Sequence, residues 1–83
     1  MNETIRRVVA KHGRLRVDVA ALSDTDDLYE AGMTSHASVN LMLGIEDAFD
    51  VEFPDAMLKR SVFESIASIE AALRELDAES NAA

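Results

Sequence analysis

From Ser35 to Phe49, apolar residues return every three or four positions. At about 100° per residue, Ser38, Leu41, Met42, Ile45, Ala48 and Phe49 fall on one side. A stretch with that period buries its apolar side as a helix, and Thr34 or Ser35 can start it by accepting a bond from an unpaired backbone N–H. The opposite side collects His36, Val39, Leu43, Glu46, Asp47 and Asp50, with the Ser35 hydroxyl at its edge. Apolar side chains left outward among acids beside a hydroxyl make a candidate docking surface of His36, Val39, Leu43, Glu46 and Asp47.

Ile5, Val8, Val9 and His12 show the same spacing after a start at Asn2 or Thr4, with a stop at Gly13 or just beyond. His12 falls at a core-facing position and is expected to pack between helices. Residues 17–34 mix Val17, Val19 and Leu22 with Ser23, Asp24, Thr25, Asp26, Asp27 and Gly32. That is the composition of a long loop anchored by the three apolar side chains, and loops of this length are uncommon unless functional. Pro54 cannot continue a helix and disfavours helical backbone at Phe53, so Asp55 is expected to cap a short third helix over 56–60. Ser61-Val62-Phe63-Glu64 matches a capping box, followed by a stripe of Val62, Ile66, Ile69, Leu73 and Leu76 through a final helix. The expectation is an all-α fold of four helices, one domain over 1–77, and a flexible tail over 78–83.

A chain of 83 residues buries only about 60 % of its unfolded-state surface, which leaves little room for a deep catalytic pocket. A binding or carrier module fits that size better than an enzyme. The chain has no cysteine and no tryptophan, so a disulfide framework and a thiolate metal site are excluded and any thiol must be attached. No run approaches the roughly 18 apolar residues of a membrane span, and the first residues lack the apolar core of a leader. A cytoplasmic, monomeric protein is expected.

The formal net charge of −8 is unevenly distributed. Arg6, Arg7, Lys11, Arg14 and Arg16 crowd the start, whereas positions 17–58 hold ten carboxylates and no lysine or arginine. A field of that sign repels nucleic acid and anionic membranes, and steers the domain toward basic patches on partner proteins. A non-enzymatic acidic helical adaptor that binds basic partners without a prosthetic group would share these properties.

The stretch Asp26-Asp27-Leu28-Tyr29-Glu30-Ala31-Gly32-Met33-Thr34-Ser35-His36 leads from an acidic loop through a glycine to one hydroxyl. It resembles the attachment site of acyl carrier proteins, with an aspartate-leucine pair, a glycine beyond it and a serine three residues later. The resemblance extends over about residues 3–77. Leu28, Gly32, Ser35, Val39, Leu41, Ile45, Phe49, Pro54 and Asp55 stand where that family's pattern puts like residues.

This resemblance implies an acyl-carrier-like bundle, with a long loop between helices one and two and a short third helix. It further implies a 4′-phosphopantetheine arm on Ser35 Oγ, with Thr34 and Gly32 completing the site. A phosphopantetheinyl transferase would install the arm, an acyl- or amino acid-activating ligase would load it with a thioester, and downstream acyl-processing enzymes would unload it. The carrier itself has no catalytic or metal-binding residue.

Physically the position suits a phosphate, because a helix amino terminus offers unpaired N–H groups and the positive end of the macrodipole, and Gly32 lets the loop turn tightly. The family usually has an aspartate before the serine and a leucine after it, where this chain has Thr34 and His36. With Ala37 and Asn40 also neutral, docking is expected to lean on Val39 and Leu43 and on Glu46, Asp47 and Asp50. The neutral first turn is similar to stand-alone bacterial carriers outside core fatty-acid synthesis. The resemblance leaves two cargo readings, a fatty or specialised acyl chain, or an amino acid loaded by a ligase resembling an aminoacyl-tRNA synthetase. The apolar interior near Phe53 and Met57 is expected to shelter a long chain, and a small cargo needs no shelter.

An isolated serine at a helix start reads simply as a cap, and only its surroundings set Ser35 apart. His36 does not form a dyad with Ser35, since adjacent helical residues do not face each other and no G-x-S-x-G elbow is present. Asp24, Asp26 and Asp27 open like a calcium loop, but Tyr29 replaces its glycine and Ser35 its final glutamate. Met33, Met42 and Met57 are expected to fill the core.

Overall fold

The computed structural model describes the backbone of residues 2–82 and the side chains of residues 2–76. The tail expected over 78–83 falls outside the described side chains. Among the described residues the chain is all-helical, with α1 (Asn2–His12), α2 (Ser35–Phe49) and α3 (Ile66–Ala82) joined by segments holding 3-10 turns at Val19–Ala21, Asp55–Met57 and Arg60–Val62.

α1 buries Ile5, Val8 and Val9, and its half-buried His12 lies against Gly44 of α2. A Cβ on Gly44 would stand 2.6 Å from His12 Cδ2 and 2.9 Å from Val8 Cγ1, so the two helices approach where a side chain is missing. The core stripe of α2 is Ala37, Leu41 and Ile45, one residue every turn. Ser38, Met42 and Phe49, expected inside, are half-buried on one shoulder, and Ala48 is exposed on the other. The helix is thus rotated from the expected setting, and Ser38 and Met42 face an open cleft.

α2 stops at Asp50, which adopts left-handed backbone (φ 52°, ψ 51°). The Val51 N–H then donates to Glu46 O at 3.0 Å, and the Phe53 N–H to the Glu46 carboxylate at 2.8 Å. These bonds aim Phe53 inward, where its ring meets Phe63 edge-on at 5.3 Å between centroids.

The short helix expected over 56–60 is instead two 3-10 turns, and Asp55 lies inside the first of them without capping it. The reason is geometric. Met57 and Phe63 are both buried, yet in a continuous α-helix residues six apart point about 120° away from each other. Two tight turns, separated by extended backbone at Lys59, aim both inward. The capping box is also displaced from Ser61–Glu64. Ser65 and Ser68 cap reciprocally, with the Ser68 N–H donating to Ser65 Oγ at 3.0 Å and the Ser65 N–H to Ser68 Oγ at 3.1 Å. Val62 therefore precedes α3, whose buried residues are Ile66, Ile69, Ala72 and Leu73.

The connection 13–34 is anchored by Val19, Leu28 and Met33 in the core. Of the three expected anchors, Val19 is buried and Leu22 half-buried, but Val17 is 47 % exposed. Backbone bonds from Leu28 N to Glu64 O (2.7 Å) and from Ala67 N to Asp24 O (2.8 Å) tie the loop to the start of α3. Arg6 ties it to α1, donating to Val19 O at 2.8 Å and to Asp24 Oδ1 at 2.7 Å, an oxygen that also accepts from Asn2 Nδ2 at 3.0 Å.

The Asn2 hydrogen bond, then that of Arg6, holds the Asp24 carboxyl below its ordinary value of 3.8. A group whose value is depressed on folding stabilises the fold above the unfolded value and loses that contribution as pH falls through the folded one. Asp24→Asn should therefore lower the thermal midpoint at neutral pH. The gap from the unsubstituted protein should close as melts are taken below the ordinary value of 3.8; a gap that persists in acid would assign the loss to packing.

Candidate functional site

Thr34 is extended (φ −87°, ψ 167°), and its Oγ1 accepts the Ala37 N–H at 3.0 Å. Thr34 is therefore the cap of α2, and Ser35 is its first helical residue. Ser35 is exposed, and its Oγ has no hydrogen-bond partner among the described residues. The amides of Ser35 and His36 are also without acceptors among the described residues. An unbonded hydroxyl beside two open amides at the positive end of a helix fits an attached phosphate group. His36 is exposed and makes no bond to Ser35.

Gly32 stands at φ +120°, and a Cβ there would lie 2.8 Å from Arg16 Cγ and 3.0 Å from Arg16 N. Both the conformation and the close passage of Arg16, whose N–H donates to Ala31 O at 2.9 Å, require glycine. The acids before it serve the loop itself. Asp27 Oδ1 accepts the Tyr29 N–H at 2.8 Å, and Asp26 Oδ2 accepts the Ser23 N–H at 2.9 Å.

Beside Ser35 opens a cleft of about 350 Å³. Ser35, Ser38, Val39 and Met42 form its α2 side. Leu58, Lys59 and Arg60 stand opposite, with Tyr29 and Phe63 between. The Arg60 guanidinium carbon lies 4.0 Å from the centre of the Tyr29 ring, a cation–π contact. Sequence reasoning missed this wall. The available signal was that Lys59 and Arg60 are the first cations after Arg16. Phe53 and Met57 do not line the cleft; they are packed in the core, so the interior shelter expected beside them is filled.

The five expected docking residues lie along one side of α2 but differ in what they touch. Val39 and Leu43 are each 52 % exposed and continue a strip from His36. Glu46 is half-buried with its carboxylate on the Phe53 amide, and Asp47 lines a separate groove with Arg7 and Lys11 of α1.

The phosphopantetheine attachment site family matches residues 3–76. The chain belongs to this family. Its prosthetic group is accordingly 4′-phosphopantetheine, and the adaptor without a prosthetic group is set aside. A protein of Agrobacterium fabrum named aminoacyl carrier protein is 57 % identical over 70 residues, covering 84 % of each chain. A carrier protein from Agrobacterium tumefaciens, crystallised with an engineered Bradyrhizobium japonicum glycine:[carrier protein] ligase and AMP, is 54 % identical. It superimposes with a TM-score of 0.87 over 89 % of this chain and 99 % of that one. A crystal structure of the Bradyrhizobium japonicum ligase with glycylated carrier protein matches at 30 % identity and a TM-score of 0.73, over 86 % of this chain and 95 % of that one. Among the described residues no helix is long and apolar enough to cross a membrane.

Two neighbouring substitutions should separate capping from attachment. Thr34→Ala removes the cap and should cost about 1 kcal/mol in denaturant unfolding, whereas Ser35→Ala should leave the midpoint nearly unchanged. Gly32→Ala should cost about 1–3 kcal/mol, since it forces a Cβ into left-handed backbone against Arg16. A Ser35→Ala loss as large as that of Thr34→Ala would make Ser35 structural.

Proposed function

We propose that this chain is an aminoacyl carrier with 4′-phosphopantetheine on Ser35 Oγ, installed by a phosphopantetheinyl transferase and charged by an amino acid-activating ligase for downstream enzymes. The observation that carries the reading is the Ser35 hydroxyl itself, exposed and unbonded at the amino end of α2 because Thr34 does the capping. Ser35 Oγ supplies the ester oxygen. The open amides of Ser35 and His36 and the α2 dipole favour the negative charge of a phosphodiester there. Thr34 and Gly32 hold the backbone that presents it. When bound, the group supplies a terminal thiol on which cargo is held as a thioester, a function this cysteine-free chain lacks.

An amino acid is the cargo that the similar carrier proteins favour. The relatives at 54 % and 30 % identity occur with a glycine:[carrier protein] ligase, the latter in glycylated form. A short polar cargo needs no apolar shelter, and tethering presents it to successive enzymes at high effective concentration. The strip of His36, Val39 and Leu43 serves as part of the receiving surface, with Asp47 at its margin, while Glu46 chiefly holds Phe53. The carrier unit is taken as 1–77, supported by a family match that ends at residue 76, with α3 continuing beyond it to Ala82.

Incubation with coenzyme A and a broad-specificity transferase should add one phosphopantetheine to the protein and none to Ser35→Ala, as read by intact mass. Adding glycine, ATP and the Bradyrhizobium japonicum ligase should then add one glycyl group. Arm attachment to Ser35→Ala would move the site elsewhere. A holo protein that no amino acid charges would end the aminoacyl reading while keeping the carrier.

A further inference from the structure

The cleft beside Ser35 carries the opposite sign to the domain that presents it. The chain has a formal net charge of −8, yet the cleft beside Ser35 has no carboxylate in its lining and two cations, Lys59 and Arg60. Both are exposed, and neither forms an ion pair among the described residues. Around them Val39 and Leu43 stand 52 % exposed and Leu58 47 % exposed. Of the acids of α2, Glu46 holds the Phe53 amide and Asp50 ends the helix, while Asp47, one turn beyond Leu43, borders this face on its α1 side.

We propose that this apolar, cationic face of Val39, Leu43, Leu58, Lys59 and Arg60 is where the amino acid-activating ligase docks, and that the ligase meets it with an apolar patch bordered by carboxylates. The inference rests on the aminoacyl-carrier reading and gives its partner a chemistry. An enzyme acting on a group at Ser35 must approach the side where Ser35 is open, so this face is covered in the encounter. Burying the three aliphatic side chains supplies contact area, while the cations at their edge orient the approach and reject partners with a basic face. Arg60 is held flat on Tyr29, so its planar fork is partly ordered before a carboxylate arrives, while Lys59 acts as a mobile point charge. The preference is the reverse of the one net charge suggests, because a protein steered only by −8 would seek basic partners.

The test compares holo forms of the unsubstituted protein, Lys59→Glu, Lys59→Glu/Arg60→Glu and Arg7→Glu/Lys11→Glu. The last makes the same total charge change on α1, away from Ser35. Glycylation by the Bradyrhizobium japonicum ligase is followed at low and moderate salt, beside thermal melts and the ³¹P spectrum of each free holo protein. The Lys59/Arg60 variant should lose about tenfold or more in kcat/KM, mostly through KM, with the deficit shrinking as salt rises. Lys59→Glu should lose part of this with its melt unchanged, and the α1 variant should stay within about twofold of the unsubstituted protein. Equal losses in the α1 variant, or none in the Lys59/Arg60 variant, would overturn the inference. So would a displaced ³¹P resonance in the free Lys59/Arg60 variant, which would give the cations to the chain's own phosphodiester. An unsubstituted holo protein that the ligase never charges would remove the aminoacyl reading and this inference with it, whereas charging that ignores Lys59 and Arg60 would remove the inference alone.

Discussion

The placement of Ser35 depends on how the connection 13–34 satisfies its own backbone. A segment of that length with only one 3-10 turn must pair its buried polar groups without a regular ladder. It does so by borrowing partners from α1 and from the start of α3. Arg6 of α1 closes on Val19 and Asp24, Leu28 donates to Glu64, and Ala67 of α3 donates to Asp24. With Leu28 and Met33 sunk in the core between these bonds, the short run to Ser35 has little freedom left. Gly32 then turns the chain against Arg16, and Thr34 enters α2 in extended conformation. The hydroxyl is thus presented by a loop that is long in sequence but fastened at both faces of the bundle.

Charge is partitioned by the same fold. Of the five cations in the first sixteen residues, Arg6 alone is in an ion pair among the described residues. Its partner Asp24 comes from the acidic loop, which draws two oppositely charged stretches of sequence together. Asp26 and Asp27 are absorbed into local turns, and Glu46 into the return after α2. Several acids that look like docking groups in a linear reading therefore stabilise backbone. None of these acids lines the cleft beside Ser35, whose far wall holds Lys59 and Arg60.

The parts legible in the sequence were those with a period or a fixed spacing: the extent of α1 and α2, His12 between helices, the exposure of Val39 and Leu43, and the run to Ser35. The misplaced parts lack such a signal. Ala37 and Ala48 are equivalent to any apolar count, yet only Ala37 lies in the core. Loop burial has no period, so Val17 reads as well as an anchor as Val19 or Leu22, although it is 47 % exposed. The two 3-10 turns follow from the need to bury Met57 and Phe63 together, a tertiary requirement that local propensity around Asp55 cannot express. The cap of α3 was missed because a box is sought as serine with glutamate, whereas Ser65 and Ser68 achieve the same reciprocity with two hydroxyls. Thr34 and Ser35 are chemically equal as caps, and the backbone conformation that the loop imposes on Thr34 decides between them.

That decision separates folding from modification. Had Ser35 been the cap, esterifying its oxygen would have altered the bond that starts α2, and the apo and holo proteins would differ in stability at the helix their partners meet. With Thr34 accepting the Ala37 N–H, Ser35 Oγ contributes little to the fold and is open to change. The amides of Ser35 and His36 remain open as well. A phosphate group placed there gains hydrogen-bond donors that the fold does not otherwise use. Gly32 has no such independence, because the turn that presents Ser35 and the packing of Arg16 both require it. The site therefore joins one residue fixed by the fold to one released from it, and the surface around the released hydroxyl is free to vary in sign without endangering the bundle.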